Sequence, residues 1–306
     1  MRSSIKSLAL PLIPLLPSTA LAHGGDHHLP SPWSLETWVA LALFVSAALY
    51  LTGVLRLWRG LRIGRGVRVW QFLCFMLGWL LLAIALISPV HALGERLFTA
   101  HMLEHEILMA VSAPLLVIAR PVGGMLWALP QGGRRLVGTI ARNRDIARLW
   151  SVLIDPFAAT LIHGAALWIW HLPILFNAAL ASPLVHGVQH VSFFGTAILF
   201  WWSLLRGRAR TRGYGTASFY LFITALHSGF LGILIALTKT PIYPGQTEAA
   251  PDWGLTPLED QQLAGLIMWV PAGVVYAVAA LAMMGIWISR SSRMSASGGV
   301  HAPLPR

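Results

Sequence analysis

Charge is scarce in this 306-residue chain: 11% of its residues are Asp, Glu, Lys or Arg, while 56% are hydrophobic. An ordinary soluble domain carries about a quarter charged residues, so this balance excludes one. Acid is scarcer than base, with 11 Asp and Glu against 22 Lys and Arg. Cysteine is nearly absent. Cys74 is alone, which excludes a disulfide within the chain and any CxxC pair that would carry a metal or electrons. A single thiol inside an apolar run reads as a small core filler. There is no HExxH helix, no phosphate-binding glycine loop and no Ser-His-Asp arrangement, which excludes the common hydrolase and ATPase designs. No internal repeat appears, and no polar stretch is long enough to fold by itself. The chain therefore reads as a non-enzymatic protein.

Long apolar runs are what it has instead. Seven of them lie at 36 to 57, 70 to 92, 99 to 119, 156 to 172, 183 to 205, 216 to 237 and 257 to 288. Each is near the ~20 residues a helix needs to span a bilayer. The fold class expected is all-α: a polytopic membrane protein of seven transmembrane helices. Ahead of them, residues 1–22 join basic Arg2 and Lys6 to an apolar stretch and Ala20-Leu21-Ala22, the pattern of a cleaved signal peptide. Residues 23–35 then form a histidine-rich leader, 36–290 the seven-helix domain and 291–306 a tail.

The net charge of +11 does not point to nucleic acid, because of where the basic residues fall. Arg56 to Arg68 fill the first connection, Arg120 to Arg148 the third, Arg206 to Arg212 the fifth, and Arg290, Arg293 and Arg306 the tail. Only Arg96 and Lys239 remain for the other side. The positive-inside rule then places the odd connections and the C-terminus in the cytoplasm, with the mature N-terminus outside. That orientation matches a cleaved signal and implies a bacterial inner membrane, with the lipid bilayer as first partner. The third connection, LPQGGRRLVGTIARNRDIARLW, spaces basic and apolar residues as a surface-lying amphipathic helix does. The stretch from Thr238 to Thr256 is rich in Pro and Gly and reads as a structured loop or lid. Asp155-Pro156, Ser182-Pro183 and Thr256-Pro257 each set a capping residue before a proline at the first helical position.

Histidines concentrate at one end of these spans. With Pro183 opening the fifth helix, His186 lies about 5 Å and His190 about 10 Å below its end. Their spacing of four puts them on one face. His101 and His105 repeat that spacing at the head of the third helix, in HMLEHE, with Met109 a turn further down. His91 follows Ser88-Pro89 at the end of the second span, and His171 ends the fourth in WIWHLP. Six histidines from four spans thus converge on the periplasmic leaflet, while His163 and His227 fall near mid-span. A lone interfacial histidine is an anchor more often than a ligand, but six with two i, i+4 pairs suit a metal cavity, because imidazole is the commonest metal ligand. The absence of thiolates suits copper, zinc or iron, and the thioethers of Met102 and Met109 favour Cu(I). Glu104 lies within a turn of both His101 and His105 and is placed to orient an imidazole or complete a site. The sequence offers two readings of Glu259 and Asp260 in the first turns of the seventh helix: complements to the helix dipole, or, for Asp260 with Gln261, partners reaching into the cavity. In the leader, His23, His27 and His28 form a metal-capture tract, and a free amine on His23 would chelate copper with its imidazole.

Three runs in order carry a resemblance: SPVHALGERLFTAHMLEHEILMAVSAPLLVIARP, WIWHLPILFNAALASPLVHGVQHVSFFGTAILFWW and LEDQQLAGLIMW. Together they resemble the multi-spanning CtaG family of cytochrome c oxidase assembly factors, over about Trp70 to Tyr276. The resemblance implies maturation of a haem-copper oxidase by copper supply, with an oxidase subunit or other copper-handling assembly proteins as partners. Its histidines fall on His101, His105, His171, His186 and His190, with Asp260 and Gln261 from the last run. Glu104 and Glu106 stand where uncharged residues, often Gln and an apolar one, are expected. Two other classes stay open: electron transfer through b-type haem held by His163 and His227 or by the outer histidines, and a copper permease with His163 and His227 as deeper waypoints. A di-metal membrane oxygenase fits poorly, since no HxxHH cluster accompanies the pairs.

Overall fold

Proline cuts this chain into helices. Among the described residues six helices begin with one, because its fixed φ suits the first helical turn and its missing N–H is not needed there. The computed structural model describes residues 37–206 and 213–298, with side chains as far as residue 292. The signal segment, the leader with His23, His27 and His28, and the last part of the tail lie outside the described residues.

Among the described residues the chain is all-α. The helices are α1 (Thr37–Gly60), α2 (Val69–Ile87), α3 (Pro89–Gly94), α4 (Phe98–Glu106), α5 (Ala113–Ala119), α6 (Pro121–Ala128), α7 (Gln131–Arg142) and α8 (Arg144–Leu153). They continue with α9 (Pro156–Trp170), α10 (Pro173–Ala181), α11 (Pro183–Leu205), α12 (Tyr214–Ala236) and α13 (Pro257–Gly298). Six stretches are long and apolar enough to cross a membrane, and up to seven if α8 and α9, bent by 67° at their junction, count as one. Their lipid-type surfaces are evident in exposed Phe44, Leu73, Leu184, Phe222 and Leu281, apolar side chains that water would not tolerate in such number.

Several starts follow the expected chemistry. Asp155 accepts from the Phe157 amide at 3.1 Å, and Thr256 and Glu259 form a reciprocal capping box. Ser182 differs, opening α11 without a side-chain cap. The second span is also shorter than its apolar run. Ser88 takes extended backbone (φ −92, ψ 174), as residues before proline do. Its hydroxyl caps the separate short helix α3 instead.

The third span, α4 through α5, is the buried centre: 67% of its apolar window is covered, against 22–44% for the others. A π-helical segment, Ile107–Ser112, joins its two halves. α2 and α11 pack against its lower half, and α13 packs against α4. α11 also packs on α9, and α1 on α6. α12 and α13 lie together along their length, closest at Gly232 and Gly265, where a Cβ on either would fall 2.7 or 2.6 Å from the other's carbonyl oxygen. Small residues are what allow membrane helices to approach so closely. α7 and α8 bury no residue, exposing Leu136, Ile140, Leu149 and Trp150 beside their arginines, the composition of helices that lie in an interface.

Candidate metal centre

Each histidine pair is positioned by its helix. His101 and His105 lie one turn apart on α4 with ring centroids 4.2 Å apart, and His186 and His190 on α11 at 4.3 Å. The two pairs face each other: His101 is 5.5 Å from His186, and His105 is 5.2 Å from His190. The short helix α3 adds His91, its ring 5.6 Å from His186 and 5.8 Å from His190. His171, just beyond α9, stands at the margin, packed on Phe193, which also touches His105. Four separate stretches therefore bring their imidazoles to one end of the bundle.

One acid sits among them. Glu104 is fully buried, its Oε1 2.8 Å from His91 Nδ1 and 3.3 Å from His190 Nε2. One ligand atom each from His91, Glu104 and His190 lies within 4.8 Å of the others, a grouping that can hold a metal ion. Glycine makes this possible. A Cβ at Gly94 of α3 would meet Glu104 Oε2 at 2.8 Å, so a side chain there would displace that carboxyl group from its place.

The cavity's hydrogen bonding is incomplete. Both ring nitrogens of His101 and of His105 are buried without a hydrogen-bond partner, as are Nε2 of His171 and His186 and Oε2 of Glu104. Buried polar atoms are normally paired, and an unpaired one costs about 1–3 kcal/mol. On His171 the arrangement also fixes the tautomer: Nδ1 donates to the Leu167 carbonyl at 2.7 Å, which leaves a lone pair on Nε2. The donor set is imidazole and carboxylate, suited to copper, zinc or iron.

The remaining expected residues serve elsewhere. Met109 is packed in the apolar core below the pairs. Asp260 is directed at backbone: its carboxylate accepts from the Phe98 and Thr99 amides at 2.8 and 2.9 Å and from the Thr99 hydroxyl at 2.6 Å. It thereby caps α4, the helix that carries His101 and His105. Gln261 accepts from the Ile242 amide and donates to the Thr238 hydroxyl, holding the loop after α12. Both residues thus support the cavity through its scaffold.

That loop is structured and closes over the cavity's edge. Tyr243 packs on Phe98 and Phe176, and its hydroxyl donates to the His171 carbonyl at 2.5 Å. Burial pushes the Tyr243 phenol up to about 12, so it stays a neutral donor. Fully buried Gln246 donates to the Gly94 carbonyl. With Glu95, Pro183, His101 and His186 it lines a cleft of about 310 Å³ that leads to the histidines. Sequence reasoning missed Gln246 and also Gln189, whose amide is buried without partners between His186 and His190. A glutamine inside the apolar run HGVQH is the signal that could have found Gln189.

His163 and His227 stand apart from this cavity. His163 is fully buried, with Nδ1 3.1 Å from the Thr196 hydroxyl and its ring stacked on Phe200. His227 borders a groove of about 550 Å³ between α9 and α12, lined by Gly164, Trp168 and Tyr220.

A sequence profile described as cytochrome c oxidase caa3 assembly factor (Caa3_CtaG) matches residues 48–290. The chain belongs to this family. Every cavity residue from His91 to Gln261 falls inside the part that matches. Similar proteins include an uncharacterized protein of Mycobacterium bovis and one of Mycobacterium tuberculosis, each 23% identical over 241 residues, or 74% of this chain. The alignment covers 36% of those relatives, so the chain spans about a third of their length. No solved structure shows a significant match.

Proposed function

We propose that this member of the caa3 assembly factor family acts in building a haem-copper oxidase by holding copper in the histidine cavity and yielding it to an oxidase subunit. The observation that carries this reading is the set of buried, unpartnered imidazole nitrogens on His101, His105, His171 and His186 beside the buried Glu104 carboxyl group. Those nitrogens are stabilised by a cation and by little else within reach. His101, His105, His186 and His190 are the proposed ligands, joined by His91 and Glu104, whose ligand atoms lie within 4.8 Å of that of His190, with His171 at the margin. Glu95 and Gln246 stand where an ion would enter, and the leader histidines His23, His27 and His28 would capture it first.

The arginine distribution supports an inner-membrane placement with the cavity facing the periplasm. Haem fits this cavity less well than a small ion. The two rings of each pair lie 4.2 and 4.3 Å apart, which leaves no room for a porphyrin plane between them.

Metal analysis of purified protein beside the His101→Ala, His105→Ala variant tests the proposal, together with the copper content of the oxidase in the variant strain. Stoichiometric copper in the parent, lost in the variant with a copper-poor oxidase, is expected. No copper above background in the parent, with the oxidase unaltered, would sink the reading.

A further inference from the structure

The opposite end of the bundle holds a recess that the histidine chemistry does not use. It measures about 900 Å³ and is lined by Arg65 and Arg68 before α2, Arg120 between α5 and α6, and Arg206 at the end of α11. Trp70, Trp127 and Trp202 complete its walls, and none of its lining residues is acidic. Arg65, Arg68 and Arg120, all exposed, concentrate positive charge around its mouth, and such a field favours an anion there.

Backbone chemistry points the same way. Val122 and Gly123, in the first turn of α6, also line the recess. First-turn amides have no partner within their own helix and favour an anion. Arg120 reaches this place through a left-handed backbone (φ 56), the only such non-glycine residue among the described ones, in the sharp turn from α5 into α6. Arg206 is steadied by donating to the Ile118 carbonyl at 2.7 Å.

The surroundings indicate the source of the anion. The tryptophan walls are joined to the two surface helices: Arg134 of α7 lies 4.6 Å over the Trp127 ring, and Trp150 of α8 meets Trp202 edge-on at 5.9 Å. Tryptophan, arginine and exposed leucine together are the composition of the headgroup layer. Guanidinium groups pair with phosphate oxygens by two parallel hydrogen bonds, and basic pockets between membrane helices hold the phosphates of anionic lipids. We propose that this recess binds the phosphate headgroup of an anionic phospholipid. Free phosphate or pyrophosphate shares the chemistry but has no use for the aromatic walls.

Native mass spectrometry of the full-length protein, with dioleoylphosphatidylglycerol, cardiolipin or dioleoylphosphatidylcholine supplied in detergent, tests the assignment. The anionic lipids should be retained and phosphatidylcholine should not. Arg65→Gln, Arg68→Gln should lower their retention about thirtyfold, at roughly fivefold for each charge, and Arg120→Gln about fivefold. Arg62→Gln, in the same connection but outside the recess, should leave retention unchanged. Should the double variant fail to fold, Arg120→Gln against Arg62→Gln decides alone. Equal retention of phosphatidylcholine, or an equal loss in Arg62→Gln, would overturn the site. Thermal stabilisation by sodium pyrophosphate without discrimination among lipids would overturn the lipid assignment in favour of a free anion.

Discussion

The histidine cavity and the deeper pair His163 and His227 make an instructive contrast. His101 and His163 are equally buried, each with at least one ring nitrogen lacking a partner. What differs is company. His101 has the imidazoles of His105, His186 and His190 within 6.4 Å and a carboxylate in the same cavity. His163 has a threonine hydroxyl and the face of Phe200. Burial alone therefore does not mark a metal site. Under the proposed reading, what sets the cavity apart is the convergence of several imidazoles around one carboxyl group.

The sharpest way to break this contrast is to empty one side of it. His186→Ala with His190→Ala should bring bound copper to background in metal analysis while the helical circular dichroism is kept. Glu104→Gln keeps the volume and removes the charge, and copper affinity in a chelator competition should fall about ten- to a hundredfold. Asp260→Ala acts one step further out. It uncaps α4 and should cost about 2 kcal/mol in chemical denaturation, leaving the copper stoichiometry of the folded fraction intact. The smallest effect belongs to the deeper pair: His163→Leu with His227→Leu should leave copper content unchanged. A loss there equal to that of the α11 variant would erase the distinction and favour a conduit through the membrane.

The legible parts of this site were those written in local spacing. The i, i+4 pairs on α4 and α11 could be read because one helical turn is fixed geometry, and the proline-led starts set their depth. His91 was placed at the right end but on the wrong element, since Ser88-Pro89 ends one helix and starts another. The burial of Glu104 against His91 was not legible. It depends on α3 folding back over α4 at Gly94, a contact between elements. Asp260 could be seen as either dipole complement or cavity partner, and its actual role, capping a helix more than 160 residues away in sequence, is written only in the packing. The arginine recess escaped notice for a similar reason. Its residues were counted as topology signals, and only the fold gathers three connections around one hollow.

Below His105 the third span takes a wide π-helical turn. In Ile107–Ser112 the helix is loosened, and two neighbours tie it sideways: the Trp201 indole donates to the Met109 carbonyl at 2.9 Å, and the Ser112 hydroxyl donates to the Gly78 carbonyl. Trp201 belongs to α11, so this strut braces the two histidine-bearing helices against each other from beneath. The spacing of α4 and α11 thus has a support outside the cavity itself. Under the proposed reading, a cradle braced in this way would neither shut behind a departing ion nor have to be pried open for the next.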